Sequence, residues 1–513
     1  MRFHRLLAAT ALSATLLLPV VAQEDAFFRL SLTAPLLGPG GGSGSVDTED
    51  PGVPGGSPNN PDPEPLPVSV TLAEHSFSPF TVGDSIDHDF SGQLAVANGE
   101  ASDVAWSVGS PSNLPVGPGL TGGVLSGEFD QAGEFDFELV ATHPDAVDPA
   151  RQVYTIVVNG VTLRVTQIAT ASHRSCAITV SGGVKCWGHN GNGQLGDGTT
   201  THRHTPVDVV GLTSGVTAID AGNGHTCAIH NGAAKCWGYN SSGRLGDGTS
   251  TQRTIPVDVV GLGSDVTGIA VGLNHTCAIH NGAAKCWGFN GDGQLGDNST
   301  TQRNTPIQVS ALTSGVTSID AGYYHTCATH NGAAKCWGSN TYGQLGDNST
   351  DDRYVPVPVT GLGSNVTSIV AADSHTCAIH NGAAKCWGNN GKGKLGDNST
   401  ALQRNVPVSV SGLGFGVTSI ASGGSHTCAI HNGAAKCWGH NNKGQLGDGT
   451  TTDQGIPVSV GGLGAGVTSI DGGSAHTCAI QDSVAKCWGS NPYGQLGDGT
   501  TTDQGTPVEV SGL

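Results

Sequence analysis

Basic and aromatic side chains are scarce in this 513-residue chain. Lysine and arginine total 22 against 41 acids, charged residues make up 12% of the composition, aromatics 5%, and methionine occurs once. No run or face of basic residues is present, so the phosphate neutralisation that nucleic acid demands is missing, and nucleic acid is not an expected partner. Long apolar runs are absent after residue 22, so no transmembrane span is expected. No nucleophile elbow, HExxH, P-loop or paired-carboxylate pattern occurs, and the chain reads as not an enzyme. Cysteine is absent outside residues 176–487.

Glycine, by contrast, numbers 80. Such a composition ordinarily marks low complexity. Here the glycines recur at fixed places in a repeat, so they read as turns. The acidity is uneven. Residues 1–160 hold 20 acids and 4 bases, whereas residues 161–513 hold 21 acids and 18 bases.

The N-terminus reads as a secretory signal over residues 1–22. Arg2 and Arg5 precede an apolar core, Leu6 to Leu18, and Val20-Val21-Ala22 ends it with small residues. A membrane anchor is the alternative, but the run is short for the ~20 residues of a span. The expected location is therefore exported: secreted, periplasmic or cell-surface. Residues 23–66 include a stretch rich in Gly, Pro, Ser and Asp (Pro39 to Pro65), which reads as a disordered linker.

Residues 67–160 alternate as short strands: SVTL, FTVG, LAVA, VAWSV, FDFELVAT and VYTIVV. That spacing predicts a small β-sandwich. Leu114-Pro115 followed by GLTGGVLSGEFDQAGEFDFELVAT (Gly119 to Thr142) resembles the immunoglobulin-like domains of bacterial surface proteins. Trp106 is read as sandwich core rather than a ligand platform. Asp84, Asp87 and Asp89 are a conceivable calcium cluster, but a solvated acidic face is the preferred reading, since no EF-hand spacing supports a site.

From Val165 onward the chain repeats every 50 or 51 residues, a period of propellers or solenoids. One unit, Val216 to Leu262, shows four strand-like runs: VTAI, HTCAI, AAKCW and PVDVV. Four short strands make one propeller blade. Its centre, CAIHNGAAKCWG (Cys227 to Gly238), holds an Asn-Gly hairpin signal at Asn231-Gly232. Counting outward from that turn sets His230 against Ala233, Ile229 against Ala234, Ala228 against Lys235 and Cys227 against Cys236. The last is a non-hydrogen-bonded pair, where side chains come closest. Seven intrablade disulfides are predicted: Cys176–Cys186, Cys227–Cys236, Cys277–Cys286, Cys327–Cys336, Cys377–Cys386, Cys428–Cys437 and Cys478–Cys487. Zinc is the alternative, but one hairpin offers two thiols where tetrahedral zinc takes four ligands. Alternation puts Ile229, Ala234 and both cysteines on one face and Lys235 and Trp237 on the other. The seven repeat tryptophans are read as packing between blades, with a stacking platform as the functional alternative.

After the tryptophan comes GxNxxGQLGDGT, as at Gly288 to Asn298, with Arg244 and Lys394 replacing the Gln in two copies. With the AGxxHT element and the Pro-Val strand, Val165 to Leu513 resembles the regulator of chromosome condensation repeat family. The resemblance implies an all-β, seven-bladed propeller over residues 161–513. Members include a nuclear exchange factor for a small GTPase, a plant ultraviolet-B receptor and a secreted β-lactamase inhibitor. Exchange activity is the least favoured reading for an exported chain without a basic tail.

Several polar features recur with the repeat. A histidine precedes the first cysteine of each unit (His173, His225, His275, His325, His375, His426 and His476). A packing and hydrogen-bonding role is expected for it, with a metal ring as the alternative. The turn histidines, such as His230, lie on the opposite face. The loop aspartates (Asp197, Asp247, Asp297, Asp347, Asp397, Asp448 and Asp498) read as turn and capping residues, since calcium takes six to eight oxygens. Asn298, Asn348 and Asn398 open Asn-Ser-Thr sequons.

The copies are nearly identical, so the positions where they differ stand out. Tyr239, Phe289, Tyr323, Tyr324, Tyr342, Tyr354 and Tyr493 occupy such positions and are the candidate binding residues, in rim loops. The expected function is non-catalytic binding of a protein partner by a secreted or surface monomer. No cofactor, metal or catalytic residue is expected. An extracellular enzyme with its site at one mouth is the alternative, and a cluster of acid, His and Arg there would favour it. The ring is expected to close either unaided or by Val161–Val165 pairing with the final strand at Pro507 to Val510.

Overall fold

The structure is a computed structural model describing residues 69–81, 85–97, 100–108, 119–128, 133–159 and 164–512. The signal and linker segments, Asp84 and Leu114-Pro115 lie outside the described residues. Among these residues the chain is all-β, with helix confined to short 3-10 turns.

The N-terminal strands are β1 (Ser69–Leu72), β2 (Phe80–Thr81), β3 (Ser85–Asp89), β4 (Leu94–Ala97), β5 (Ala105–Val108), β6 (Gly119–Thr121), β7 (Val124–Glu128), β8 (Gly133–Thr142) and β9 (Ala150–Asn159). They form three small sheets, ordered β1-β4, β2-β9-β8-β5 and β3-β7-β6. Three strands exceed the six read from sequence. β3 is mostly polar (SIDHD), yet its Ile86 is buried. β6 and β7 flank Gly122-Gly123, both at positive φ. Ile86, Phe90, Leu125, Phe137, Leu139, Tyr154 and Ile156 make the core, and Trp106 packs against it as expected. Asp89 accepts from the Ser91 amide at 2.8 Å and caps a turn.

Seven four-stranded antiparallel sheets follow, over 165–208, 216–258, 266–308, 316–358, 366–409, 417–459 and 467–509. Each is built from four consecutive strands in order. The second comprises Val216–Ala221, His225–His230, Ala233–Gly238 and Arg253–Asp258. Its hairpin register matches the outward count: His230 opposes Ala233, Ile229 Ala234, Ala228 Lys235 and Cys227 Cys236. Asn231 and Gly232 sit at φ 51° and 79°, the two positive angles that a tight turn of this twist requires. Seven disulfides join the expected pairs, with Cα atoms 4.0 to 4.1 Å apart.

The faces interlock between neighbours. Cys227, Ile229, Ala234 and Cys236 pack with Ala278 and Trp287 of the third sheet. Trp237 and Ala228 in turn pack on Cys176 and Cys186 of the first. Each Trp donates its indole N–H to a carbonyl in the preceding sheet's loop, as Trp237 does to Gln194 O at 2.9 Å. Burying all seven indoles with that donor satisfied is what lets this glycine-rich chain hold a dense core.

The seventh sheet packs on the first in the same way. Trp187 donates to Gln495 O at 2.9 Å and lies with Cys478 and Cys487. The strand Val165–Thr170 pairs within the first sheet, and the strand Gln504–Glu509 pairs within the seventh. Among the described residues no strand is exchanged at this seam, where the two sheets meet by packing and hydrogen bonds, and each unit supplies all four of its strands. Residues 161–163, which begin the alternative Val161–Val165 pairing with Pro507 to Val510, lie outside the described residues.

Candidate binding face and channel

In every sheet the loops joining strands one to two and three to four lie at one end, because consecutive strands are antiparallel. The Asn-Gly turns lie at the other. Tyr239 N donates to Gly224 O at 2.8 Å, joining the two loops of the first end, whereas Asn231 N donates to Gly215 O at 3.0 Å at the second.

The seven aromatic positions singled out in the sequence all gather at the first end. Tyr323 and Tyr324 are in the one-to-two loop of the fourth sheet. Tyr239, Phe289, Tyr342 and Tyr493 are in three-to-four loops, and Tyr354 is the second residue of the strand that follows one. Tyr239, Tyr324, Tyr342 and Tyr354 are exposed. Phe289, Tyr323 and Tyr493 are half-buried. Tyr493 packs among His173, His189 and His202 of the first sheet, with centroids 4.9 to 5.3 Å apart.

Six histidines have the expected structural role. Each is buried and bonds through Nε2 to a hydroxyl of the next sheet, as His225 does to Thr276 at 2.8 Å. That hydroxyl spends its proton on the carbonyl of Arg244, so the imidazole must be the donor, protonated on Nε2. His173 does not belong to this set. It lies three residues before its cysteine, and Arg174 takes the histidine's place, donating through Nε to Thr226 Oγ1 at 3.1 Å. An insertion-free alignment on the cysteines would have shown this displacement.

The loop aspartates act as turn residues. Asp247 accepts from Thr249 N at 3.0 Å, from Thr249 Oγ1 at 2.8 Å and from Arg253 Nη2 at 2.8 Å. Burial pushes it up, but these bonds hold it below the usual carboxylate range. Asn298, Asn348 and Asn398 stand at φ 58° to 66°, where other copies place glycine.

The first strands of all seven sheets surround a cavity of about 310 Å³ at this same end. Four carboxylates missed in the sequence line it, Asp220, Asp320, Asp373 and Asp471. Of these, Asp220, Asp320 and Asp471 form a set. They share one strand position, where the other copies carry Ala169, Ala270, Val370 and Ala421. Each binds a backbone amide of the next sheet. Asp220 takes Val271 N at 2.6 Å, Asp320 takes Ala371 N at 2.6 Å and Asp471 takes Thr170 N at 2.7 Å. Burial, then Asp320 and Asp471, raises Asp220 well above the usual range. Burial lifts Asp320 to about 7 and raises Asp471.

Tyr323 lies over this cavity. Its hydroxyl is 3.3 Å from Ser474 Oγ, which is 3.1 Å from Ser172 Oγ. Burial pushes the neighbouring Asp373 up to about 7, against the pull of the Lys394 ammonium and the Tyr323 hydroxyl. Acids therefore converge at the mouth, but the six buried histidines are not part of its lining. Among the described residues, no group of three or more His, Cys, Asp or Glu is arranged to hold a metal ion.

The regulator of chromosome condensation (RCC1) repeat model matches residues 181–229, 231–279, 281–329, 331–379, 381–430 and 432–480. A second RCC1 repeat model matches 165–194, 316–344 and 417–445. The chain belongs to the regulator of chromosome condensation repeat family. Each RCC1 repeat takes its last two strands from the sheet after the one that supplies its first two, so the chain crosses between sheets inside every repeat. The RCC1 domain-containing protein RUG3, mitochondrial, of Arabidopsis thaliana is 35% identical over 66 residues, which is 13% of this chain and 15% of that protein's length. Among solved structures, human WBSCR16 is similar at TM-score 0.58 and 22% identity, over 64% of this chain and 94% of that one. Prp20p from Saccharomyces cerevisiae, described with its binding properties to Gsp1p and histones, is similar at TM-score 0.55 and 19% identity, over 68% and 88%. At such identities the likeness shows the fold alone.

Proposed function

We propose that this chain is an exported, non-catalytic protein-binding module. Its seven sheets are the blades of one propeller, preceded by a Gly/Pro-rich linker and an immunoglobulin-like sandwich, and it acts as a monomer. The partner, a protein rather than a nucleic acid, docks on the end of the propeller that carries the one-to-two and three-to-four loops. One observation carries this reading. On a scaffold repeated almost without change, Tyr239, Tyr324, Tyr342 and Tyr354 vary between copies, are exposed and share one end. Exposed tyrosine adds contact area at low entropy cost and is enriched where proteins bind. Export is supported by the N-terminal apolar run and by seven disulfides, which persist in oxidising compartments. The Gsp1p and histone binding described for Prp20p is not carried over, because the matched identity is low and this chain lacks a basic face.

The test is affinity capture from the native extracellular milieu with the mature protein. Alanine at Tyr239, Tyr324, Tyr342 and Tyr354 should abolish capture of the partner that the unaltered protein retains. Equal capture by both would refute the reading. A second reading, an enzyme at the channel mouth, is favoured by Asp373, which burial lifts to about 7 against the pull of Lys394 and Tyr323. It requires that Asp373→Asn abolish a turnover that the tyrosine variants leave intact.

A further inference from the structure

A second cavity, of about 230 Å³, opens on the same end between the loops of the first three sheets. Its lining includes His173, Arg174, His189, Asn223, Tyr239 and Arg244. The repeats supply an internal control for it. At the position of Arg174 the other six copies carry histidine. At the position of Arg244 five copies carry glutamine and one carries Lys394. Two departures from the repeat, on different sheets, thus place two guanidiniums in one cavity.

Neither arginine is required there by the scaffold. Arg174 Nε makes the bond to Thr226 Oγ1 that a histidine makes elsewhere, and its other nitrogens reach Asn223 O and His225 O. Arg244 donates to Leu273 O at 3.0 Å and to Ser241 Oγ at 3.3 Å, while its buried Nε has no partner among the described residues. The Tyr239 ring lies 4.8 Å from its Cζ and holds the guanidinium in place. Arg174 is 1% exposed and Arg244 3%. The ion pairs of the described arginines are made by Arg151, Arg203, Arg253, Arg303, Arg353 and Arg404, and not by these two.

A buried charge without a counterion is costly, and the usual remedy is an opposite charge with good geometry. Burial pulls Arg174 down to about 9, with only the more distant Asp220 opposing, and pulls Arg244 down to about 10. Burial, then the charges of His202, His173 and Arg174, hold His189 at about 4. The cavity resists further positive charge. Guanidinium forks match the oxygens of carboxylates and phosphates.

We propose that this cavity is a binding site for a small oxyanion, a carboxylate or phosphate group held between Arg174 and Arg244. The site is independent of the protein-binding reading and would exist if that reading failed.

The test uses the full chain, titrated with inorganic phosphate and with malonate at constant ionic strength, and followed by calorimetry and by Tm. Saturable binding of either anion, with a rise in Tm, is the expected result. Arg244→Gln and Arg174→His should each weaken it at least tenfold. Both variants restore what the other copies carry, so they should fold, as an unchanged near-ultraviolet tryptophan spectrum would show. Arg151→Gln, at an exposed pair, should bind like the unaltered protein. No saturable binding of either anion, or undiminished binding by both cavity variants, overturns the proposal.

Discussion

Asp471, on the last sheet, accepts hydrogen bonds from both the amide and the hydroxyl of Thr170 on the first, at 2.7 and 3.0 Å. The two residues lie 301 positions apart, and among the described residues no strand is shared where their sheets meet. Asp471→Ala would leave two donors unpaired in a buried seam, at about 1–3 kcal/mol. A lower Tm is expected, together with faster amide hydrogen exchange in Val165–Thr170 than in Val316–Ala321, the equivalent strand of the fourth sheet, where the preceding sheet carries Ala270 in place of the aspartate. Asp471→Asn keeps an acceptor oxygen and should recover most of the difference.

Stability should fall on acidification. Burial, the largest cause in each case, holds His275, His325, His426 and His476 at about 3 and His225 and His375 well below their ordinary value. A lowered folded-state value means stability present above 6.5 and lost as pH falls toward 3. Asp320 acts with the opposite sign. Its value, raised to about 7, gives stability below 3.8 that is lost as pH rises through 7. Each group contributes up to about 1.4 kcal/mol per pH unit inside its window. The six histidines outnumber the raised channel acids, so Tm should be lower at pH 4 than at pH 7. Asp320→Asn should steepen that fall, because it removes an opposing contribution. Scanning calorimetry across this range is the check.

The hairpin was legible residue by residue, because Asn-Gly admits one tight turn and the register then follows by counting. The channel acids were not. Asp220, Asp320 and Asp471 look like ordinary variation in a strand until seven first strands are set around one cavity. Arg174 was hidden by its neighbour, since His173 imitates the repeat histidine one residue early. The positions of the variable tyrosines were legible, but their common end came only from the strand order, and Tyr323 turned inward where Tyr324 did not. The polar strand β3 escaped a reading based on apolar alternation.

Removing one disulfide should cost modest stability without loss of fold. Cys277–Cys286 closes a short loop within a hairpin already set by its turn, so the chain-entropy ceiling is about 2–3 kcal/mol. The bridge also packs against Trp337 of the next sheet, so Cys277→Ala with Cys286→Ala adds a loss of packing. Denaturant titration of the double variant should show a single transition at lower midpoint. All fourteen sulfurs are buried, so mild reductant should leave the native protein unmodified by a thiol reagent until it unfolds.

Tyr323 and Tyr324 are adjacent yet should respond differently. Tyr323 is half-buried and reaches Ser474 on a sheet three further along the ring, so its hydroxyl ties the mouth of the cavity together. Tyr324 is 41% exposed and meets Tyr323 edge-on at 6.3 Å. Tyr323→Ala should lower Tm, whereas Tyr324→Ala should leave Tm unchanged and weaken partner binding, with an effect of about 1–2 kcal/mol if it is a central contact. Tyr323→Phe separates the two roles of that ring. It keeps the packing and removes the hydroxyl, so Asp373, which that hydroxyl holds down, should titrate higher. Carboxyl resonances of labelled aspartate would show the shift. An unmoved Asp373 would mean that the hydroxyl serves Ser474 alone.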